Sequence, residues 1–198
     1  MKYRVGCSAV KASIDCGDCY QEGLSVTVQF GLGFGQDQDV YTVGEYAKRS
    51  EDLGFTHITV ADINNLANEA TVLMTLATMA TDRIRIGHGV TNPATMHSGA
   101  IANAMASIRE LGGDRAFIGI GAGGPYGQFL HRGVKMQTLR NSIAFMREYS
   151  AGRDGQLEDG GWHSEWIRNS SRYNGSHVPC WVAVAGPKTC QIAGEVGD

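Results

Sequence analysis

The sequence predicts an α/β protein built on a parallel sheet, and three observations support this prediction. Segments rich in β-branched residues alternate with segments of helical apolar spacing, the alternation runs from residue 24 onward, and the connections are short. Repeated strand–helix–strand units pair in parallel through right-handed crossovers. Ligands of such folds bind beyond the carboxyl ends of the strands, so the loops at those ends are the candidate functional segments.

Five segments have the composition of strands. In chain order they are LSVTVQFG (24–31), THITVAD (56–62), RIRIGHGV (83–90), RAFIGIGAG (115–123) and VPCWVAVAG (178–186). The loops after the last four carry Asp62 with Asn64 and Asn65, GHGVTN (87–92), GIGAGG (119–124) and AGPK (185–188). Small residues dominate these loops, as is typical where the backbone closely approaches a flat or phosphorylated ligand.

Helices are predicted between the strands from caps and apolar spacing. Thr42 and Glu45 have the spacing of a capping box for a helix that ends near Gly54. The later helices are 68–80, with an apolar face of Val72, Leu76 and Met79, then 99–111 capped by Ser98 and ended by Gly112 and Gly113, then 139–149. Residues 151–176, rich in Gly, Ser, Asn and Asp, are predicted to be a long surface insertion.

Composition and charge exclude several classes of function. The net charge of −3 gives no basic surface for nucleic acid, and no apolar run approaches the roughly 18 residues of a membrane span. The first residues lack the apolar core of a signal peptide, so we expect a cytoplasmic protein that binds neither nucleic acid nor a membrane.

The cysteines do not predict a metal site. Cys16 and Cys19 form a CxxC beside Cys7, but the chain contains no second CxxC and no HxxxH to complete a set of ligands. With Cys180 and Cys190 the total is five, an odd number that favours free thiols. We expect residues 1–23 to be a poorly ordered extension and residues 24–198 to form the fold.

A dinucleotide-binding motif is a weaker interpretation of the fourth strand. Gly119, Gly121 and Gly124 satisfy GxGxxG, but Pro125 and Gly127 follow where a helix should open. No acidic residue ends a following strand about 20 residues later. A Rossmann domain is therefore not favoured.

Taken together, the loops resemble those of the bacterial-luciferase-like oxidoreductases. The similar blocks are FGLGFGQDQDVYTVGEYAKRSEDLGF, ITVADINN, RIRIGHGVTNPATMHSGAIANAMASIRELGGDRAFIGIGAGG and VAVAGPKTCQIAGEVGD, in the order of the family. The nearest branch is that of the methylene-tetrahydromethanopterin reductases, which depend on the deazaflavin coenzyme F420. The resemblance implies a (β/α)8 TIM barrel, of which residues 24–198 supply about five of eight βα units, so we expect an N-terminal fragment.

The resemblance also implies a coenzyme site. The Gly89–Val90 peptide is expected to be cis, in a bulge with Thr91 and Asn92 that backs one face of the coenzyme ring. Asp62 corresponds to the acid beside the ring, and Gly121 lies in the adjoining loop. The turn of Ala185, Gly186, Pro187 and Lys188 corresponds to the one that holds the coenzyme phosphate. His88 and His97 are, with Asp62, the catalytic candidates, although a lone histidine is more often a structural donor.

Departures from the branch leave the substrate open. Gly33 stands where the reductases have a carboxylate, Ile63 stands where many relatives have histidine, and Gly124 replaces an acid. The favoured interpretation is hydride transfer between F420 and a small organic substrate. An FMN-dependent monooxygenase of the same family and a non-catalytic nucleotide-binding fragment are the alternatives.

The five-strand interpretation carries expectations about assembly. The outermost strands, 24–31 and 178–186, should lack their usual partners, and Val60, Ile86 and Ile118 should lie on an inner face that is partly open to water. The full-length form is expected to be a homo-oligomer, and the fragment is expected to need its missing C-terminal half.

Overall fold

Five parallel strands form the central sheet of the computed structural model, which describes residues 28–63, 66–123, 133–157 and 159–198. The sheet order is β1-β2-β3-β4-β7, with strands β1 (Gly31–Phe34), β2 (His57–Val60), β3 (Arg85–His88), β4 (Ala116–Ile120) and β7 (Cys180–Val182). Every neighbouring pair is parallel, which confirms the predicted fold class. The proposed extension 1–23 with Cys7, Cys16 and Cys19, and also Asn64, Asn65 and Gly124, lie outside the described residues.

Helices connect the strands and cover one side of the sheet. They are α1 (Val43–Asp52), α2 (Ala70–Ala80), α3 (Ser98–Gly112), α4 (Met136–Ser150), α5 (Glu165–Arg168) and α6 (Pro187–Val196). A second, antiparallel pair, β5 (Gly155–Leu157) and β6 (Gly160–Trp162), lies between α4 and α5, so the predicted surface insertion contains a hairpin and a short helix. No helix of the described residues is long and apolar enough to span a bilayer.

The hydrophobic core lies between the sheet and the helices. Val60, Ile86 and Ile118 are at most 1% exposed and belong to the same cluster as Leu73 of α2 and Met105 of α3. The expectation that these three strand residues face an open interior is therefore wrong. They alternate along their strands with the residues that line the opposite side, so a shift by one residue reverses the face.

The side of the sheet turned away from the core, called here the inner face, carries a cluster of planar side chains. The Phe117 and Trp181 rings are stacked with centroids 4.0 Å apart, and the His57 ring meets Trp181 edge-on at 5.5 Å. The Arg85 guanidinium lies 4.8 Å from the Trp181 ring centroid. An apolar and cationic layer thus occupies the amino-terminal half of this face, and the carboxyl-terminal half is left to smaller residues.

The two outer strands have one partner each within the described residues. β1 pairs with β2 and β7 pairs with β4, as expected for the first and last strands of this set. Residues 24–27 of the predicted strand 24–31 lie outside the described residues. β1 begins at Gly31, and Val28 and Phe30 before it are 67% and 60% exposed. A Cβ on Gly31 would lie 2.0 Å from the His57 ring, so the absence of a side chain there allows the pairing with β2.

Several local predictions are corrected at helix termini and faces. Thr42 precedes α1 without a capping hydrogen bond from its side chain, so the predicted capping box does not form. On α2 the buried face is Leu73, Met74 and Ala77, whereas Val72 is 47% and Met79 is 70% exposed. Because α2 has no charged residue between Ala70 and Ala80, apolar spacing alone does not identify its buried side.

Candidate active site at the carboxyl ends of the strands

A bulge at the end of β3 is the central feature of this edge of the sheet. The Gly89–Val90 peptide bond is cis, which confirms the sequence prediction. The Gly89 N–H donates to the Val60 carbonyl at 2.7 Å, and the Thr91 N–H donates to the Gly119 carbonyl at 2.9 Å. The bulge is therefore held to β2 on one side and to β4 on the other.

A buried carboxylate lies against this bulge. Asp62 follows β2 and is 6% exposed, and Thr91 is fully buried. The Thr91 hydroxyl donates to Asp62 Oδ2 at 2.5 Å. Asp62 is thus brought to the bulge as predicted, but its carboxylate is anchored by the chain and is not presented freely to solvent.

Small residues make the surface beside the bulge flat. A Cβ on Gly121 would lie 3.4 Å from Val90 Cγ2 and 3.5 Å from the Ala183 Cβ, so the ends of β3, β4 and β7 adjoin there. A Cβ on Gly35 or Gly186 would meet nothing within 4 Å. Val90 itself is 37% exposed. An apolar floor without protruding side chains suits a planar ring system.

The turn after β7 is organised by a threonine that sequence analysis missed. Thr189 Oγ1 accepts hydrogen bonds from the N–H groups of Ala185 and Gly186, both at 3.2 Å, and donates to the Gly186 carbonyl at 2.9 Å. Two of the amides expected to hold a phosphate are therefore already engaged. Helix α6 begins at Pro187, and the exposed Lys188 is at its first turn, where the positive end of the helix favours an anion.

His88 does not line this surface. It is 1% exposed, and its side chain belongs with Ile86 on the side of β3 that faces the helices, because Gly87 and Gly89 occupy the inner face. Burial lowers the pKa of His88 to about 4, and attraction to the Asp62 and Glu69 carboxylates opposes that shift only in part. A direct catalytic contact between this ring and a coenzyme on the inner face is not supported by this placement.

His97 has a structural environment. Its Nδ1 accepts the Gly99 N–H at 3.0 Å and so caps α3, the role predicted for Ser98. Since Nδ1 is an acceptor, the proton of the neutral ring is on Nε2, which lies 3.0 Å from Asp159 Oδ2. The ring also stacks on Trp162, with centroids 4.9 Å apart. These contacts give His97 a structural role, and its catalytic role stays a prediction.

Asn92 is engaged within its own loop. Its Oδ1 accepts the N–H groups of Ala94 at 3.0 Å and Thr95 at 3.2 Å, so it forms the turn that leads from the bulge toward α3. The expected cofactor contact of Asn92 is left to its amide nitrogen. The coenzyme site implied by the resemblance would place Asp62, Asn92 and Gly186 around one cavity, and this stays a prediction.

The described residues contain no group of three or more His, Cys, Asp and Glu side chains placed to hold a metal ion. Cys180 is buried, and burial raises the pKa of its thiol to about 12, whereas Cys190 is exposed on α6. The arrangement therefore offers a flat floor, an anchored carboxylate and a cationic helix terminus.

The family follows from comparison with known proteins. The model of the family described as "Luciferase-like monooxygenase" matches residues 22–198. The chain belongs to this family. The predicted resemblance is thus confirmed, and with it the TIM-barrel fold class, because the parallel sheet described above is the corresponding part of that barrel.

Two of the similar proteins are named for F420 or for a tetrahydromethanopterin substrate. A 5,10-methylenetetrahydromethanopterin reductase of Methanolobus tindarius is 31% identical over 173 residues, which are 85% of this chain and 52% of the relative. A solved F420-dependent secondary alcohol dehydrogenase, in complex with an F420–acetone adduct, superposes with a TM-score of 0.68 at 19% identity, covering 86% of this chain and 57% of that one.

A monooxygenase has a similar fold. The oxygenating constituent of 3,6-diketocamphane monooxygenase from Pseudomonas putida, in complex with FMN, superposes with a TM-score of 0.65 at 16% identity. It covers 86% of this chain and 55% of that chain. The chain spans about half the length of the relatives it matches. At these identities the solved structures establish the fold alone.

Proposed function

We propose that this chain is the coenzyme-binding part of an F420-dependent oxidoreductase that transfers hydride between F420 and a small organic substrate. The observation that carries the proposal is the 31% identity, over 85% of this chain, to a methylenetetrahydromethanopterin reductase. The cis Gly89–Val90 bulge and the buried Asp62 beside it support the same branch, because both were expected from the resemblance to that branch.

The described residues fit a planar coenzyme. When bound, the deazaflavin supplies the ring carbon that accepts or donates hydride. Gly89 and Val90 support one face of the ring, and Gly121 leaves the space that a side chain would fill. The Asp62 carboxylate, fixed by Thr91, places a negative charge behind the bulge. Because the bulge is bonded to both neighbouring strands, this surface is preorganised before any ligand arrives.

The phosphate end of the coenzyme belongs at α6. Thr189 fixes the turn before the helix, and the N–H groups at the first turn of the helix point toward an incoming anion. The Lys188 ammonium adds a full charge beside them. This pairing of a flat apolar floor with a cationic helix start suits a coenzyme that joins a ring to a phosphate.

We infer that the substrate of this chain differs from the methylenetetrahydromethanopterin of the reductases. Gly33 and Ile63 lack the carboxylate and the imidazole that relatives place at the ends of their first two strands. Proton transfer to or from the substrate must therefore use other groups. We assign the chain a small organic substrate without a tetrahydromethanopterin moiety.

The inner face of the sheet is expected to be covered by further polypeptide. The half-buried Arg85 has no carboxylate partner among the described residues, and Trp181 beside it is also only half buried. Further polypeptide over the inner face would complete both environments, as in a closed barrel. We expect the active form to have this face covered and to be a homo-oligomer.

Coenzyme titration tests the proposal. F420 and FMN are each added to the chain, and quenching of coenzyme fluorescence gives the dissociation constant. We expect tighter binding of F420 and an increase in its dissociation constant of about threefold to tenfold in Lys188→Ala, as for loss of one charge-assisted contact. Arg49→Ala, in the last turn of α1 at the opposite edge of the sheet, is the matched control and should leave binding unchanged. Tight FMN binding with little F420 binding would assign the chain to the monooxygenases instead.

A further inference from the structure

His88 is a buried polar side chain whose hydrogen-bonding groups lack partners. Both ring nitrogens are inaccessible to solvent, and neither has a hydrogen-bond partner among the described residues. A neutral imidazole carries one donor and one acceptor, and leaving such groups unpaired in an interior costs free energy. Buried polar groups of this kind are normally satisfied by a neighbouring group or by an ordered water.

The neighbours of the ring are carboxylates on two elements. His88 is in register with Val60 of β2, and Asp62 follows two residues later, while Glu69 precedes α2. Both carboxylates raise the pKa of His88 by attracting its protonated form, and Asp62 has the larger effect. Val60, the register partner of His88, and Ile86, two residues before His88 on β3, both belong to the buried apolar cluster.

Of the two carboxylates, Asp62 is the better acceptor for His88. Glu69 Oε2 already accepts the Val72 N–H at 2.8 Å as the cap of α2, and the Glu69 side chain is exposed. Asp62 is buried, and Thr91 bonds only its Oδ2. Its Oδ1 accepts no hydrogen bond from the described residues, so this oxygen can accept a further one.

We propose that His88 is a positioning residue that holds the Asp62 carboxylate from the helix-facing side of the sheet, through one bridging water between a ring N–H and Asp62 Oδ1. Thr91 and His88 then fix the two oxygens of one carboxylate from opposite directions. Asp62 is thereby held in one orientation behind the cis bulge. The consequence for coenzyme binding rests on the function proposed above, whereas the link between the two side chains does not.

A double-mutant cycle on unfolding tests the link without any coenzyme. An imidazole without a partner is replaced by leucine at little cost or with a gain in stability, whereas one that holds Asp62 is not. We expect His88→Leu to raise the unfolding equilibrium constant less in an Asp62→Ala background than in the wild type, with a coupling of at least about threefold. The same cycle with Glu69→Gln should show additivity. Additive effects with Asp62→Ala, or coupling to Glu69 alone, would overturn the proposal.

Matched controls separate this link from general loss of packing. Glu51 is another buried carboxylate, bonded at the opposite end of β3, so Glu51→Gln and His88→Leu should be additive. His88→Gln and His88→Asn each retain an amide N–H, near the position of Nε2 and Nδ1 respectively. One of the two should restore most of the stability lost in His88→Leu, and it identifies the nitrogen that donates.

Spectroscopy on the folded wild type is independent of variant stability. Nitrogen-15 spectra of labelled histidine should show His88 as a single neutral tautomer at pH 7, with ring shifts that change in Asp62→Ala and not in Glu51→Gln. For coenzyme binding, His88→Leu and Asp62→Ala should raise the F420 dissociation constant by similar factors, with no further increase in the double variant. Unchanged affinity despite a measured coupling would overturn the positioning role, and failure of the wild type to bind F420 would count against the proposed function alone.

Discussion

The Thr91 hydroxyl and Asp62 Oδ2 are 2.5 Å apart, and this hydrogen bond connects the residue after the cis peptide bond to the loop that follows β2. Both side chains are buried, and hydrogen bonds to charged groups are worth about 1.5–3 kcal/mol. We expect Thr91→Val to lower the free energy of unfolding by about that amount in urea denaturation. Thr91→Ser retains the hydroxyl and should lose much less. Equal losses in the two variants would show that the methyl group, not the hydrogen bond, stabilises the bulge.

Glu51 connects α1 to the start of β3 by hydrogen bonds that we expect to be lost in acid. Burial by itself raises the pKa of Glu51, but hydrogen bonds outweigh it and lower the pKa to about 2. The donors are the amides of Ile84, Arg83 and Asp82 and the ammonium of Lys48. Because the folded pKa lies below the usual 4.5, the stabilisation is complete above about pH 4.5 and is lost as the pH falls toward 2.

The matching variant is Glu51→Gln. It should lower the free energy of unfolding at pH 7 by about 3 kcal/mol, the value of a pKa difference of this size, and flatten the pH dependence between 4.5 and 2. Glu45→Gln, on the exposed side of α1, is the control. A wild-type stability that does not change with pH over that interval would contradict this account of Glu51.

Gly87 makes room for the ring of the next strand. A Cβ there would lie 2.2 Å from the Phe117 carbonyl oxygen and 2.6 Å from its ring. Gly87→Ala should therefore cost about 1–3 kcal/mol, because the strand backbones would have to move apart. In α1, Gly44→Ala places its Cβ 3.4 Å from the Ala80 Cβ and should stabilise by up to about 1 kcal/mol through helix propensity. Thermal melts of the two variants should shift in opposite directions.

His97 is expected to matter for stability and not for coenzyme binding. His97→Ala removes the acceptor for the Gly99 N–H and should cost about 1 kcal/mol, the typical value of a helix cap. His97→Asn offers another capping oxygen and should recover part of this loss. Fluorescence titration with F420 should give the wild-type dissociation constant for both variants. A large loss of affinity in His97→Asn would restore His97 as a site residue.

The sequence predicts the order and type of the elements well, because apolar spacing and helix stop signals mark them. The positive φ of 75° at Gly113, for example, ends α3 where two glycines predicted it. Faces were harder to predict. Apolar and polar residues alternate in HITV, and Ile86 follows Arg85 in RIGH, but only the packing in three dimensions decides that Val60 and Ile86 face the helices while Thr59 and Arg85 face away.

Site residues were predictable where the backbone is distinctive and not where one side chain acts on another. The glycines before Val90 alone are equally typical of a turn that ends a strand; the resemblance to the family predicts the cis bond there, and the structure confirms it. The bonds of Thr91 to Asp62 and of Thr189 to its own turn join residues that are 29 and three or four positions apart. The spacing of Thr189, three residues after a glycine that precedes a helix, was an available signal. The sequence contains no comparable signal for Thr91, because a threonine at the end of a strand has many possible partners.

The stacked Phe117 and Trp181 rings beneath the Arg85 guanidinium give the protein an optical reporter. The other two tryptophans, Trp162 and Trp166, lie in the surface insertion between α4 and β7. The double variant Trp162→Phe with Trp166→Phe therefore leaves Trp181 as the one fluorescent indole. Its emission then depends on the polarity and the charge immediately above the inner face. A shift of its maximum to shorter wavelength records the arrival of polypeptide on that face in real time, without a label and without knowledge of the substrate.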